Sequence, residues 1–386
     1  MDIGQKSWYR RIKLPRGVII AACVLPVVMT GLFYVLKASP VVMDWATLNV
    51  SAPVRGFFGM LSAIYPFSMM EIFFTAVGFG LIYYIVKTVG ATMRRRGKWK
   101  ILGKRVLPLL VAALYIWGVF CWLWNSGYHA PGFAEKNGFV CGGATVESLA
   151  EVTRLFAEKA NELSQLVDRD DDGRYIGNRR VMFAESMDIY RNISREFPSL
   201  AGRLYRPKPM MYSWLMSRTG YEGNYFALTG EANINTWPPA ATMPATVAHE
   251  HAHQLGVFAE DEASFVGIVA CTTSGNTVFE YAGYLVGLIY LSNALAPEDM
   301  AVWQEIRDGL TEEVVSDWQE RYEFWQSQRT VETGIGFLDS ILTTVTVTVS
   351  DAVDTVYDEF LKSQSQELGI KSYGACVDLL VEYFTR

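Results

Sequence analysis

The first third of the chain is a pattern of long apolar runs separated by short polar breaks. Gly17–Leu36 runs for 20 residues without a charge, long enough to cross a bilayer as one helix. It exceeds a signal-peptide core and has no small-x-small exit, so it predicts an uncleaved anchor. A second span is predicted near Phe67–Val86, closed by Lys87, and a third over Val106–Asn125. Trp117, Trp122, Trp124 and Tyr128 gather at one end of the third, as an interfacial aromatic belt does. Glu71 stands near the start of the second span, where a hydrated interfacial carboxylate is expected. Gly56–Tyr65 is apolar up to Pro66 and predicts a short interfacial helix.

After residue 125 the pattern turns amphipathic. Ala144–Asp168 and Arg180–Phe197 carry apolar residues at helical spacing. Pro209–Ser217 and Tyr225–Leu228 predict a strand pair around the turn residues Gly220 to Asn224. Val278–Ala296 is apolar enough to span, but Glu280 and its Gly and Tyr content favour a helix buried in the domain. Val315–Trp325 and Tyr373–Tyr383 predict amphipathic helices. Thr343–Ser350 alternates as a strand would, or forms part of a helix with a cap at Asp351. The fold class expected is α+β, mainly α, with three N-terminal transmembrane helices ahead of one large domain.

Composition agrees with a membrane part: 51% of the 386 residues are hydrophobic and 19% charged. A net charge of −6 excludes a strongly basic nucleic-acid binder. Charge placement gives orientation. Residues 1–16 hold Lys6, Arg10, Arg11, Lys13 and Arg16 against Asp2, and the stretch 88–105 holds seven Lys/Arg and no acid. By the positive-inside rule both are cytoplasmic, which divides the chain into a cytoplasmic N-terminus (1–16), a transmembrane region (17–125) and an extracytoplasmic domain (126–386). The lipid bilayer is thus one partner. Five cysteines without ligand spacing predict buried free thiols.

The chemistry is concentrated in PATVAHEHAHQLGVFAEDEASF, residues 244–265. Three of the four histidines fall within five positions, as His249-Glu250-His251-Ala252-His253. On a helix His249 and His253 share a face at the spacing of two ligands of one metal ion, and Glu250 is placed as general base toward an activated water. His251 is about 200° round the helix from His249 and lies outside that set. Thr242 is a candidate N-cap, Pro244 suits the first turn, and Gly256 suits a left-handed stop. A chain reversal there returns Glu260, Asp261 and Glu262 toward the histidines. The third ligand is sought among these, with Glu260 and Glu262 both open.

Glu260-Asp261-Glu262-Ala263-Ser264 resembles the E-x-x-A-D or E-x-x-A-N element of gluzincin-like peptidases, whose leading Glu is the third ligand. That resemblance points to Glu260, with Ser264 where those enzymes place Asp or Asn. Zincin-type enzymes also lay an extended peptide along a strand ahead of such a helix. With GEANIN (230–235), YAGYL (281–285) and VYDEFLKSQSQELGIKSYG (356–374), the chain resembles a family of uncharacterised bacterial integral-membrane proteins regarded as candidate zinc metallopeptidases. The resemblance implies a zincin-like domain, one Zn2+ per chain on His249, His253 and Glu260, and a multi-pass place in a bacterial cell membrane. The resemblance supplies no substrate; with Glu250 as base beside the metal, the expected one is a peptide or protein near the membrane. Tyr281 and Tyr284 are candidate oxyanion donors. Two other functions fit the same residues: a zinc hydrolase of a non-peptide envelope substrate, and a non-catalytic sensor that keeps the fold. Substrate and oligomeric state are not legible.

Overall fold

A computed structural model describes residues 15–93, 98–139, 142, 144–330, 336–363 and 372–386. The protein is mainly helical with one small sheet. Among the described residues four helices are long and apolar enough to cross a membrane: Arg16–Leu36, Met69–Met93, Gly103–Tyr128 and Thr277–Glu298. Burial separates them. The most apolar window of the last is 61% buried inside the protein, against 11%, 11% and 17% for the first three. Free apolar surface of the kind a bilayer covers therefore belongs to the three N-terminal helices, and Thr277–Glu298 is a core helix packed on Val146–Ser164.

With Leu36 packed beside Cys121 and Ala130, the Met69 amide donating to Glu231 and Phe120 against Phe360, the ends at Leu36, Met69 and Phe120 lie toward the large domain. At about 1.5 Å per residue, the 25 residues of Met69–Met93 carry the chain some 37 Å away from it. Met93 and Lys98 therefore lie at the far end. Residues 1–14 and 94–97, to which much of the expected cytoplasmic charge belongs, lie outside the described residues, as does Cys141. Cys23, Cys121, Cys271 and Cys376 are free.

The junction between spans and domain is not a hydrated linker. The interfacial helix expected over Gly56–Tyr65 runs instead over Ala52–Ser62 and lies against the domain, where Tyr205 Oη donates to the Gly56 carbonyl at 2.8 Å. Glu71 departs from its expected hydrated place. It is 3% exposed and accepts from the amides of Met211 (2.7 Å) and Tyr212 (2.8 Å). Glu231 does the reverse, capping the span Met69–Met93 by accepting from the amides of Met69 (3.1 Å) and Met70 (3.0 Å). A carboxylate there answers both the unpaired first-turn amides and the helix dipole. Lys208 donates to the carbonyls of Ser62 and Tyr65 beside it.

The sheet has the order β1-β3-β2, from β1 (Lys208–Pro209), β2 (Gly223–Phe226) and β3 (Glu231–Ile234). β2 and β3 are antiparallel, with Asn224 opposite Asn233, and β1 is parallel to β3. The expected strand pair is thus half right. Most of Pro209–Ser217 is not extended, since Ser213–Arg218 is a helix, and the partner of β2 is the GEANIN segment. Arg180–Phe197 likewise breaks into Arg179–Glu185 and Ile193–Glu196 with turns between. Thr343–Ser350 takes the helical option, inside Gly336–Ser363.

The core of the domain is the stack of Val146–Ser164, Thr277–Glu298, Glu260–Thr272 and the motif helix Met243–Leu255, closed by Ser372–Thr385. Val247, Ala248, Ala252, Phe265, Val266 and Val269 are fully or almost fully buried between the second pair. Two helices with apolar residues nearly all round can be placed only in the interior.

Candidate metal centre

The motif helix starts at Met243 with Pro244 in its first turn and stops at Gly256, which adopts φ 97°, a conformation costly for any residue with a Cβ. The same turn prepares a ligand. After Gly256 the Val257 amide donates back to Ala252 (3.0 Å), and the Val257 carbonyl then accepts from His253 Nδ1 at 2.7 Å. A carbonyl only accepts, so Nδ1 carries the proton and Nε2 is left to face the cleft.

His249 and His253 stand 4.7 Å apart between ring centres at nearly perpendicular planes. The next helix begins at Glu260, whose Oε2 lies 3.2 Å from His249 Nε2 and 3.4 Å from His253 Nε2. One donor atom from each of the three lies within 4.8 Å of the others, the one such convergence among the described residues. Each donor is held from behind. Ser264 Oγ meets His249 Nδ1 at 3.3 Å, so the residue that replaces Asp or Asn in the element still reaches the ligand it would orient. Tyr357 Oη donates to Glu260 Oε1 at 2.6 Å.

Glu262, the other carboxylate open from sequence, points elsewhere. It accepts from the amides of Phe133 and Ala134, both at 2.8 Å, and is spent on that cap. His251 lies on the opposite side of the motif helix, against Ser186 Oγ at 3.1 Å, and burial pushes its pKa down to about 3. Tyr281 and Tyr284 are corrections too. Tyr281 bonds Asp317 and Arg169, and Tyr284 packs edge-on against Phe156. The phenols that line the cleft around Glu250 are instead Tyr221, Tyr290 and Tyr357, with Tyr128 and Tyr225 toward the spans.

Glu250 follows His249 on the helix and faces β2. Gly223 lies so close that a methyl group on it would meet Glu250 Oε1 at 2.5 Å. Burial pushes Glu250 up to about 8, and its Oε2 is buried with no hydrogen-bond partner among the described residues. Burial also lowers His249. It would lower His253 as well, but the Glu260 charge outweighs it and raises that imidazole, while the two histidines hold Glu260 well below the usual carboxylate range. These directions describe an ionised Glu260 paired with positive charge on His253, while His249 favours its neutral form.

The residues fit a divalent ion. Two nitrogens and one carboxylate oxygen converge, each with an outer partner that fixes its orientation, and an unsatisfied carboxylate oxygen stands beside them.

A family model described as "Protein of unknown function (DUF3810)" matches residues 49–381. The chain belongs to that family. The matched stretch of this DUF3810 protein runs from the junction helix through the second and third exposed spans to the donor set and Tyr357, so one family unit holds membrane helices and site together. No curated protein and no solved structure matches the chain.

Proposed function

We propose that this protein is a membrane-anchored zinc metallopeptidase whose zincin-like domain stands outside the cytoplasm. The observation that carries the proposal is the convergence of His249, His253 and Glu260 beside a buried carboxylate with one free oxygen. His249 Nε2, His253 Nε2 and Glu260 would hold one zinc ion per chain. Zinc supplies, when bound, an electrophile that acidifies water and polarises a carbonyl.

The chain's own residues do the rest. Glu250 Oε2 takes the proton of the attacking water and returns it to the leaving amine, splitting a peptide bond into carboxylate and amine. Val257, Ser264 and Tyr357 keep the three donors aimed so that none has to reorient during the reaction. The edge strand β2 lines the cleft, and a sheet edge offers main-chain groups along which an extended peptide can lie. The extracytoplasmic placement rests on the basic stretch 88–105, within which the helix ends Met93 and Lys98 lie at the far end of the spans from the site.

The test is cleavage of a peptide library by the full-length protein in detergent with added zinc, new termini being read by mass spectrometry. Wild type should cut, and Glu250→Gln should slow cutting by about 10²–10⁴-fold, the usual size of a lost general base. Cleavage that survives Glu250→Gln, or cleavage of esters and non-peptide amides alone, would overturn the peptidase reading.

A further inference from the structure

The cleft has two arms that meet at Glu250, and they are chemically unlike. One, about 270 Å³, is lined beyond the site by the charged Glu222, Arg321 and Asp354 together with apolar Ala245, Ile268 and Val286. Arg321 pairs with Glu222, which Thr246 also contacts at 2.8 Å, so this arm presents fixed charge and hydrogen-bonding groups. The other, about 500 Å³, also reaches His249, Glu250, His253 and Glu260, but its far walls come from the spans. Met70 and Phe74 belong to Met69–Met93, and Phe120 and Trp124 to Gly103–Tyr128.

That second arm is continuous with the lipid-facing surface. Phe74 lines it and is 53% exposed, next to the exposed Ile72 and Phe73 on the same helix. Phe226, at the end of β2, packs on Phe74 at 5.3 Å between ring centres. Phe360 closes the opposite side against Phe120 at 5.9 Å. Past the β2 backbone, the far walls from Met70, Phe74, Phe120 and Phe360 offer a polar chain few hydrogen bonds in return for those lost to water, whereas an apolar chain loses nothing there. A soluble substrate needs no wall contributed by bilayer-exposed helices.

Building on the metallopeptidase reading, we infer that the substrate is itself anchored in the bilayer: a peptide whose apolar segment enters between Phe74 and Phe120 while its polar part lies toward Arg321. The apolar segment is either an acyl chain or a hydrophobic stretch of peptide, which share this chemistry. The bilayer then supplies both the concentration and the direction of approach, and the scissile amide is the one at the border between the two parts.

The experiment uses full-length protein in vesicles of phosphatidylethanolamine and phosphatidylglycerol, with three probes sharing one polar fluorogenic sequence. One probe is unmodified, one carries an N-terminal palmitoyl group, and one carries an apolar transmembrane segment. Each anchor also bears a photoreactive group, and cross-links are mapped on the Glu250→Gln variant, so that occupancy is read without turnover. Wild type should favour at least one anchored probe by about tenfold in kcat/KM over the unmodified probe after correction for membrane partitioning. Cross-links should fall on residues 70–74 and 120–124, and Phe74→Trp should lower the preference at least threefold. The better of the two anchored probes identifies the source of the apolar segment. Cleavage of all three probes alike with no cross-links in the arm would overturn this inference and leave the peptidase standing. Cross-links in the arm without cleavage of any probe would overturn the peptidase and leave the anchored ligand.

Discussion

The junction between spans and domain and the candidate metal centre both bury several charged groups, and they are finished differently. At the junction between spans and domain, Arg55 donates to Ser51 Oγ (3.1 Å) and to the His253 carbonyl (3.1 Å) and lies over the rings of Phe258 and Tyr225. Glu71, Glu231 and Lys208 are likewise saturated by backbone groups. At the candidate metal centre the donors are aligned from behind, but Glu250 Oε2 has no partner and three ligand atoms face one another. Saturated charge serves architecture, and charge left incomplete serves a ligand or a reaction. The two places touch, because Arg55 holds the carbonyl of a proposed zinc ligand.

The sharpest way to break this contrast is to remove one group from each side. Arg55→Ala leaves the Ser51 hydroxyl and His253 carbonyl without their buried cationic donor and should cost about 2–3 kcal/mol, the scale of losing charged hydrogen bonds, seen as a clear fall in the apparent Tm of the detergent-solubilised protein. Tyr357→Phe leaves Glu260 without its outer hydrogen bond and should weaken zinc about tenfold, or about 1.4 kcal/mol, in a chelator competition, with little change in Tm. Equal losses of stability from both variants would erase the distinction.

The smallest effect is expected from the partly exposed pair Glu222–Arg321. Burial alone would raise the Glu222 carboxyl, but the guanidinium outweighs it and holds it below the usual value of 4.5. A depressed folded pKa means the contribution is complete above about pH 4.5 and is lost as pH falls through the lower folded value. Between pH 6 and pH 3.5, wild type should therefore lose stability relative to Glu222→Gln. Parallel curves for the two proteins would show the pair to be without consequence.

How much of this was legible in the chain follows from distance along it. The i, i+4 histidines, Glu250 and the Gly256 stop all lie within one helix, where spacing fixes geometry. Choosing Glu260 over Glu262 needed more. Both start the same helix, and what removes Glu262 is a pair of amides 128 and 129 positions away. Tyr357, 97 residues from Glu260, had no local signal, whereas Tyr281 and Tyr284 had proximity in sequence and proved to face other partners. Glu71 fits the hydropathy of an interfacial residue, and only the fold reveals the Met211 and Tyr212 amides it serves. The run through Trp214, Leu215 and Met216 has strand-like composition but forms a helix, because β3 takes the place beside β2.

The central claim is that His249, His253 and Glu260 bind one zinc ion, and metal content tests it most directly. Full-length protein purified in detergent with zinc supplied and excess removed should carry about one zinc per chain. Glu250→Gln should carry the same, and His253→Ala should carry almost none while remaining folded by circular dichroism. Wild type without bound zinc, or His253→Ala with as much as wild type, would contradict the account.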